Sequence, residues 1–164
     1  MKLLTEKETY ELLLNRIDKL NPNETKELVN RLWFHQFITK DNICPKGMIF
    51  YTDPINDSGC DYDSYIYSGC PVFVEIKRRT YDNPSLWCEV YKINKLKALA
   101  EKKGCKAFFA SSAEENTLYI WNVEDHEEGI INESVGKTTE FANTTKQVKA
   151  FYSFDKKKAQ KITK

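Results

Sequence analysis

CDYDSYIYSGCPVFVEIKRR, residues 60–79, is the stretch on which the fold turns. Residues 61–68 alternate, with Asp61, Asp63, Tyr65 and Tyr67 on one face and Tyr62, Ser64 and Ile66 on the other, the period of a strand. Ser68-Gly69-Cys70-Pro71 then makes a turn: Gly69 accepts positive φ, and Pro71 opens the next strand where no ladder N–H is needed. In the second strand, residues 72–78, Val72, Val74 and Ile76 take one side and Phe73, Glu75 and Lys77 the other. The alternation predicts that the apolar side packs on a helix and that Glu75 and Lys77 share a face with a carboxylate of the neighbouring strand. Two acids and a lysine so placed are suited to hold a hard cation beside a phosphate.

An acid-x-Lys triplet is weak by itself, because 30% of the chain is charged and four such triplets occur: Glu24 with Lys26, Glu75 with Lys77, Glu101 with Lys103, and Asp155 with Lys157. Three lie in polar, helix-like or tail sequence. Only Glu75-Ile76-Lys77 ends a strongly apolar run, where two buried charges cost free energy unless they are paired or hold a metal. A structural ion pair at a strand end is the competing explanation.

Upstream, Thr5 with Glu8 forms a capping box for a helix over residues 5–20, with an apolar stripe of Leu12, Leu13, Ile17 and Leu20 and a stop at Asn21-Pro22. A second helix is predicted over 23–38, with Leu28, Leu32, Phe34 or His35, and Ile38 at helical spacing. Gly47 to Tyr51 reads as a first strand, and PINDSG at 54–59 as a turn-rich loop. Downstream, Arg79 continues the Lys77 face and could grip a phosphate with two hydrogen bonds or end the strand in solvent. Tyr81 and Trp87 either stack on unpaired bases or sugar edges or act as lids on the core.

Residues 86–103 read as a helix lined by Val90, Ile93, Leu96 and Ala100 and stopped at Gly104. Glu89 and Lys92 fall one turn apart near its start, where a surface ion pair explains both without function. CKAFFA, 105–110, reads as a buried strand, and a helix between two strands is a crossover that lays the second parallel to the sheet. TLYIWNV, 117–123, is a further strand, and 149–154 a last one, after which Asp155 caps a predicted Lys-rich helix to Ile162.

The order helix, three strands, helix, strand, with the acid and the Glu-x-Lys on adjacent strands, resembles the PD-(D/E)XK nuclease superfamily, the restriction-endonuclease-like fold that includes Holliday-junction resolvases. The likeness spans roughly residues 24–110. Asp63 fits the first acid, Glu75 the second and Lys77 the lysine; Tyr62 stands where the motif has its proline, and Asp61 is the alternative first acid. The resemblance implies an α/β fold, a mixed central β-sheet flanked by helices with an αβββαβ core. It implies one Mg²⁺, with Mn²⁺ a possible substitute, on Asp63, Glu75 and the main-chain carbonyl of Ile76, and Lys77 orienting the nucleophile. It also implies a further polar catalytic residue on the later helix, for which Glu89 is the candidate, with Lys92, Arg79 and Tyr81 as nucleic-acid contacts. In part of the family an acid of the leading helix joins the metal, here Glu24 or Glu27.

At 164 residues the chain is read as one domain, with a core over about 24–123, the helix 5–20 before it and a basic extension over about 146–164. The 41% hydrophobic and 13% aromatic fractions exclude a disordered chain. The net charge of +1 hides an asymmetry: 114–140 is acidic and 146–164 basic, the latter able to follow a phosphate backbone or to stay a solvated terminus. Cys44, Cys60, Cys70, Cys88 and Cys105 form no CxxC pair, and only His35 and His126 accompany them, so zinc or Cys-His chemistry is disfavoured. No apolar run suits a membrane span, and the acids in MKLLTEKETYELLL disfavour a signal peptide, so a cytoplasmic protein is expected.

The expectation from these residues is therefore a Mg²⁺-dependent DNA endonuclease, since no GxxxxGK motif accompanies it. The alternative is a catalytically silent nucleic-acid- or protein-binding module on the same fold. DNA is the expected partner, with a homodimer or a protein that delivers the substrate as further ones.

Overall fold

A computed structural model describes residues 15, 29, 30, 33, 34, 37, 49–51, 63–67, 70–127, 129–134 and 147–164. It is a mixed α/β protein whose mixed sheet is flanked by a helix. The helix predicted over residues 5–20 lies outside the described residues apart from Asn15, as do Glu24, Glu27 and Asp61.

Three strands open the main sheet: β1 (Ile49–Tyr51), β2 (Asp63–Tyr67) and β3 (Cys70–Arg78). They pair antiparallel in sequence order. A short strand, β4 (Ser85–Glu89), leads into the helix α1 (Val90–Lys103), and β5 (Lys106–Ser112) returns parallel to β3, as a crossover requires. Then follow β6 (Thr117–Asn122), β7 (Ile130–Ser134), β8 (Gln147–Asp155) and β9 (Gln160–Thr163). The main sheet runs β1-β2-β3-β5-β6-β9, and β4-β8-β7 form a second, antiparallel sheet.

Both faces of β3 are covered. Val72, Val74 and Ile76 pack with the helical residues Trp33, Phe34 and Phe37, which follow the 3.6 period. The apolar side of β3 thus meets a helix, as its alternation predicts. Phe73, on the other side, joins Leu86, Cys88, Ile93, Leu96, Phe109, Trp121 and Phe154. Ile93, Leu96 and Ala100 are the buried stripe of α1, and each large one contributes about 1.5–3 kcal/mol by leaving water. The helix ends where expected: Gly104 sits at φ 64°, its N–H bonds Glu101 O at 3.1 Å, and the Cys105 N–H bonds Ala100 O at 2.8 Å. Those paired bonds need the left-handed conformation that glycine takes without strain.

Two predicted helices are corrected. Residues 85–89 are strand, not the first turn of α1. Leu86 and Cys88 are buried while Trp87 between them is exposed, a period of two, and β8 pairs along the whole of β4. At the chain end, Asp155 caps only a single 3-10 turn, Lys156–Lys158, through Lys157 N–H to Asp155 Oδ1 at 2.9 Å. The chain then extends as β9, because pairing with β6 and burial of Ile162 outweigh the helix preference of the lysines. No helix among the described residues is long and apolar enough to cross a membrane.

Candidate functional site

In open sheets with crossover helices, ligands gather beyond the carboxyl ends of the parallel strands. Here those ends are Lys77-Arg78 on β3 and Ser111-Ser112 on β5, which pair in register. They are bound to each other twice more: Ser111 Oγ donates to the Lys77 carbonyl at 2.6 Å, and the Arg79 N–H donates to Ser112 O at 2.8 Å.

Glu75 lies on the face of β3 that looks toward α1, with only 4% of its surface exposed. Its Oε1 is 3.7 Å from Lys77 Nζ and 3.6 Å from Lys92 Nζ, in the first turn of α1. One buried carboxylate thus gathers two ammonium groups from two elements. The arrangement suits the physics of burial, since a desolvated charge persists only when paired. Lys77 has its pKa lowered, first by burial and further by the like charge of Lys92, with Glu75 opposing. Burial likewise lowers Arg79, against the pull of Glu75 and Glu89, although a guanidinium stays charged at any working pH.

Glu89 closes β4 and precedes α1, yet its carboxylate does not cap the helix. It accepts from Lys149 Nζ at 2.8 Å, across from β8. Burial opposes its charge, but the Lys149 hydrogen bond and charge, together with Lys77 and Lys92, prevail, and its carboxyl titrates below the usual range. The expected Glu89–Lys92 surface pair is therefore replaced: Lys92 turns to Glu75 and Glu89 to Lys149. Cys88, between these elements, is fully buried, and burial with the nearby Glu75 pushes its thiol up to about 12, which makes it core and not nucleophile.

The structure therefore brings Glu75, Lys77, Lys92 and Arg79 to one edge, with Glu89 adjoining. Tyr81 is 78% exposed in the loop that follows β3. Ile76 has its side chain in the apolar cluster behind β3, which leaves only its main chain for a metal. Asp63 differs from expectation. The ladder pairs it with Val74, and paired residues share a face, so in this register it belongs to the Val74 face and not to the Glu75 face. A shift of one residue in that register would exchange the faces.

Among the described residues no group of three or more His, Cys, Asp and Glu side chains gathers as a metal site. Those residues offer a divalent ion one buried carboxylate, and such a site asks for at least one more. Several of the C-terminal lysines are used within the molecule: Lys156 pairs with Asp82 and lies 4.8 Å above the Tyr119 ring, and Lys164 lies 4.6 Å above Phe37. Lys149 and Ser111 carried no signal in the sequence, because each meets its partner from a distant strand. Comparison with family models, with curated proteins and with solved structures finds no match to this chain.

Proposed function

We propose that this chain is a divalent-metal-dependent nuclease that cleaves DNA phosphodiester bonds internally, on the restriction-endonuclease-like core its sequence resembles. The observation that carries the proposal is the Glu75 cluster: a carboxylate at 4% exposure with two ammonium groups within 3.7 Å of one oxygen, in the C-terminal half of a strand with a parallel neighbour. Three antiparallel strands, a short strand of the second sheet, a helix, and a strand parallel to the third form an element order that supports this reading.

In this reading Lys77 steadies the charge that develops on the phosphate and orients the attacking water, in a dry site where a fixed charge acts strongly. Arg79 and Lys92 hold the phosphate, the guanidinium through two donors at once. Glu89 and Lys149 fix the entrance of α1 and so the place of Lys92. A bound Mg²⁺ or Mn²⁺ would polarise the phosphate and acidify its water, held by Glu75, the Ile76 carbonyl and an acid from Asp61, Asp63, Glu24 or Glu27.

The second reading, a binding module without cleavage, is favoured by one observation, the pairing of Asp63 with Val74. Calorimetric titration with Mn²⁺ and Mg²⁺ separates the two. The nuclease binds the ion, and Glu75→Gln abolishes the heat. A wild type that takes up no ion while still binding DNA favours the module.

A further inference from the structure

Resting on the proposed phosphodiester chemistry, we infer that Lys156 is a positioning residue: it ties down the loop of residues 79–84, so that Arg79 and Tyr81 meet a DNA backbone already in place. The basic chain end reads as a phosphate track, yet Lys156 turns inward. Its side chain is 13% exposed, while Lys157 and Lys158 beside it are exposed. The loop leaves β3 where the Arg79 N–H donates to Ser112 O at 2.8 Å, which carries the β3–β5 pairing one residue past Arg78 and keeps Arg79 on the alternation of Glu75 and Lys77. It ends at Pro84, whose carbonyl accepts from the Lys156 N–H at 3.0 Å. Between the two, the Lys156 ammonium pairs with the Asp82 carboxylate.

The same ammonium lies 3.7 Å from Glu114 Oε1 and 4.8 Å above the Tyr119 ring. Glu114 is itself fixed: the Tyr119 hydroxyl donates to its Oε1 at 2.7 Å, and its own N–H donates to Ser112 Oγ at 3.0 Å. Since Ser112 also receives the Arg79 N–H, the bonds close a circuit from the start of the loop through Ser112, Glu114 and Lys156 to its middle and its end. Lys156 stands on a firm base, because the buried Trp121 donates to Asp155 O at 2.8 Å and Asp155 pairs with Ser85 in the β4–β8 ladder. A desolvated ammonium keeps its charge by holding partners, and the aromatic face adds to that hold. Thr80 to Pro84 are all exposed, so burial does little to order them and the ties to Ser112 and Lys156 do the rest. A tethered loop presents Arg79 and the 78%-exposed Tyr81 without the ordering cost that a loose loop adds on binding.

The test uses the full chain, a labelled linear duplex in Mg²⁺, and the variants Lys156→Met, Lys156→Arg, Asp82→Asn and Lys157→Met. Backbone ¹⁵N relaxation should give residues 80–83 an order parameter of about 0.85 in the wild type and below about 0.6 in Lys156→Met and Asp82→Asn. Both variants should raise KM by about 2- to 10-fold and keep kcat within about twofold. Lys156→Arg should stay near wild type, and Lys157→Met, with the same loss of charge, should leave KM unchanged. Asp82→Asn alters an exposed side chain, so it tests the tie even where Lys156→Met fails to fold. It also separates position from charge, because losing a carboxylate favours DNA by electrostatics alone and would lower KM. Unchanged order parameters, a KM that falls in Asp82→Asn, or an equal rise in Lys157→Met overturns the inference. Lys77-dependent cleavage whose KM is indifferent to Lys156 and Asp82 ends this inference and keeps the nuclease. A wild type that cleaves nothing ends the nuclease, and the Kd of the same duplex, read by anisotropy, then replaces KM with the same pattern expected. Failure to bind the duplex at all overturns both.

Discussion

Glu75 is charged inside the protein because two ammonium groups face it, and removing them exposes the cost of that burial. At 3.6 and 3.7 Å each attraction is about 4.5 kcal/mol at an effective dielectric of about 20. Part of this is offset by repulsion between Lys77 and Lys92 and by the loss of hydration. Lys92→Met leaves Lys77 in place, so its expected cost is about 1–3 kcal/mol; Lys77→Met/Lys92→Met removes both of these ammonium groups and should cost about 3–5 kcal/mol. For a chain of this length that is a fall in Tm of roughly 6–20 °C. Glu75→Gln added to the double variant removes the stranded charge and should restore most of the loss. Urea unfolding at neutral pH measures all four proteins. The double variant should also recover on acidification, because a buried Glu75 without these two ammonium groups binds a proton more tightly folded than unfolded. A double variant as stable as wild type, or one that Glu75→Gln does not rescue, refutes the assignment of Glu75 as a buried carboxylate held by these two lysines.

Further outcomes follow from single groups. Lys77 holds its proton less tightly folded than unfolded, so stability should rise with pH between its lowered folded value and 10.5, the ordinary lysine value, and Lys77→Met should flatten that rise in urea titrations. Glu89 has a lowered folded pKa, so its contribution is complete above the ordinary carboxyl value and lost as pH falls through the folded one. Glu89→Gln should cost under about 1 kcal/mol at neutral pH, since the pair with Lys149 is partly exposed, and should blunt the acid limb of the stability curve. Gly104→Ala forces a side chain into φ 64° and should lower stability by about 1–2 kcal/mol in thermal melts.

Much of this architecture was legible because its decisive signals are local. The alternation through 61–78 yields β2 and β3, and the stripe Ile93, Leu96, Ala100 with Gly104 yields α1 and hence the parallel return of β5. What sequence reasoning missed is set by pairing at long range. Leu86 and Val90 align with the helical stripe as well as with a strand, and only β8, about sixty residues on, decides for the strand. The lysines after Asp155 look helical until β6 claims them as β9. In the site, Lys92 was visible but its partner was not. A helix spacing pairs it with Glu89, whereas the fold sets it against Glu75 and supplies Lys149 to Glu89. The face of Asp63 depends on the register of one hairpin, which a single-residue shift reverses and alternation by itself does not determine.

The central claim is that the Glu75 cluster cleaves phosphodiester bonds, and its most direct test is cleavage. Labelled linear, flapped, nicked and four-way DNAs, incubated in Mg²⁺ and in Mn²⁺ with wild type and with Lys77→Ala, should show metal-dependent cleavage by the wild type. That cleavage should be abolished in the variant while DNA binding persists. Wild-type silence on every substrate, or cleavage unchanged in Lys77→Ala, contradicts the account and leaves Glu75, Lys77 and Lys92 as a structural ion cluster.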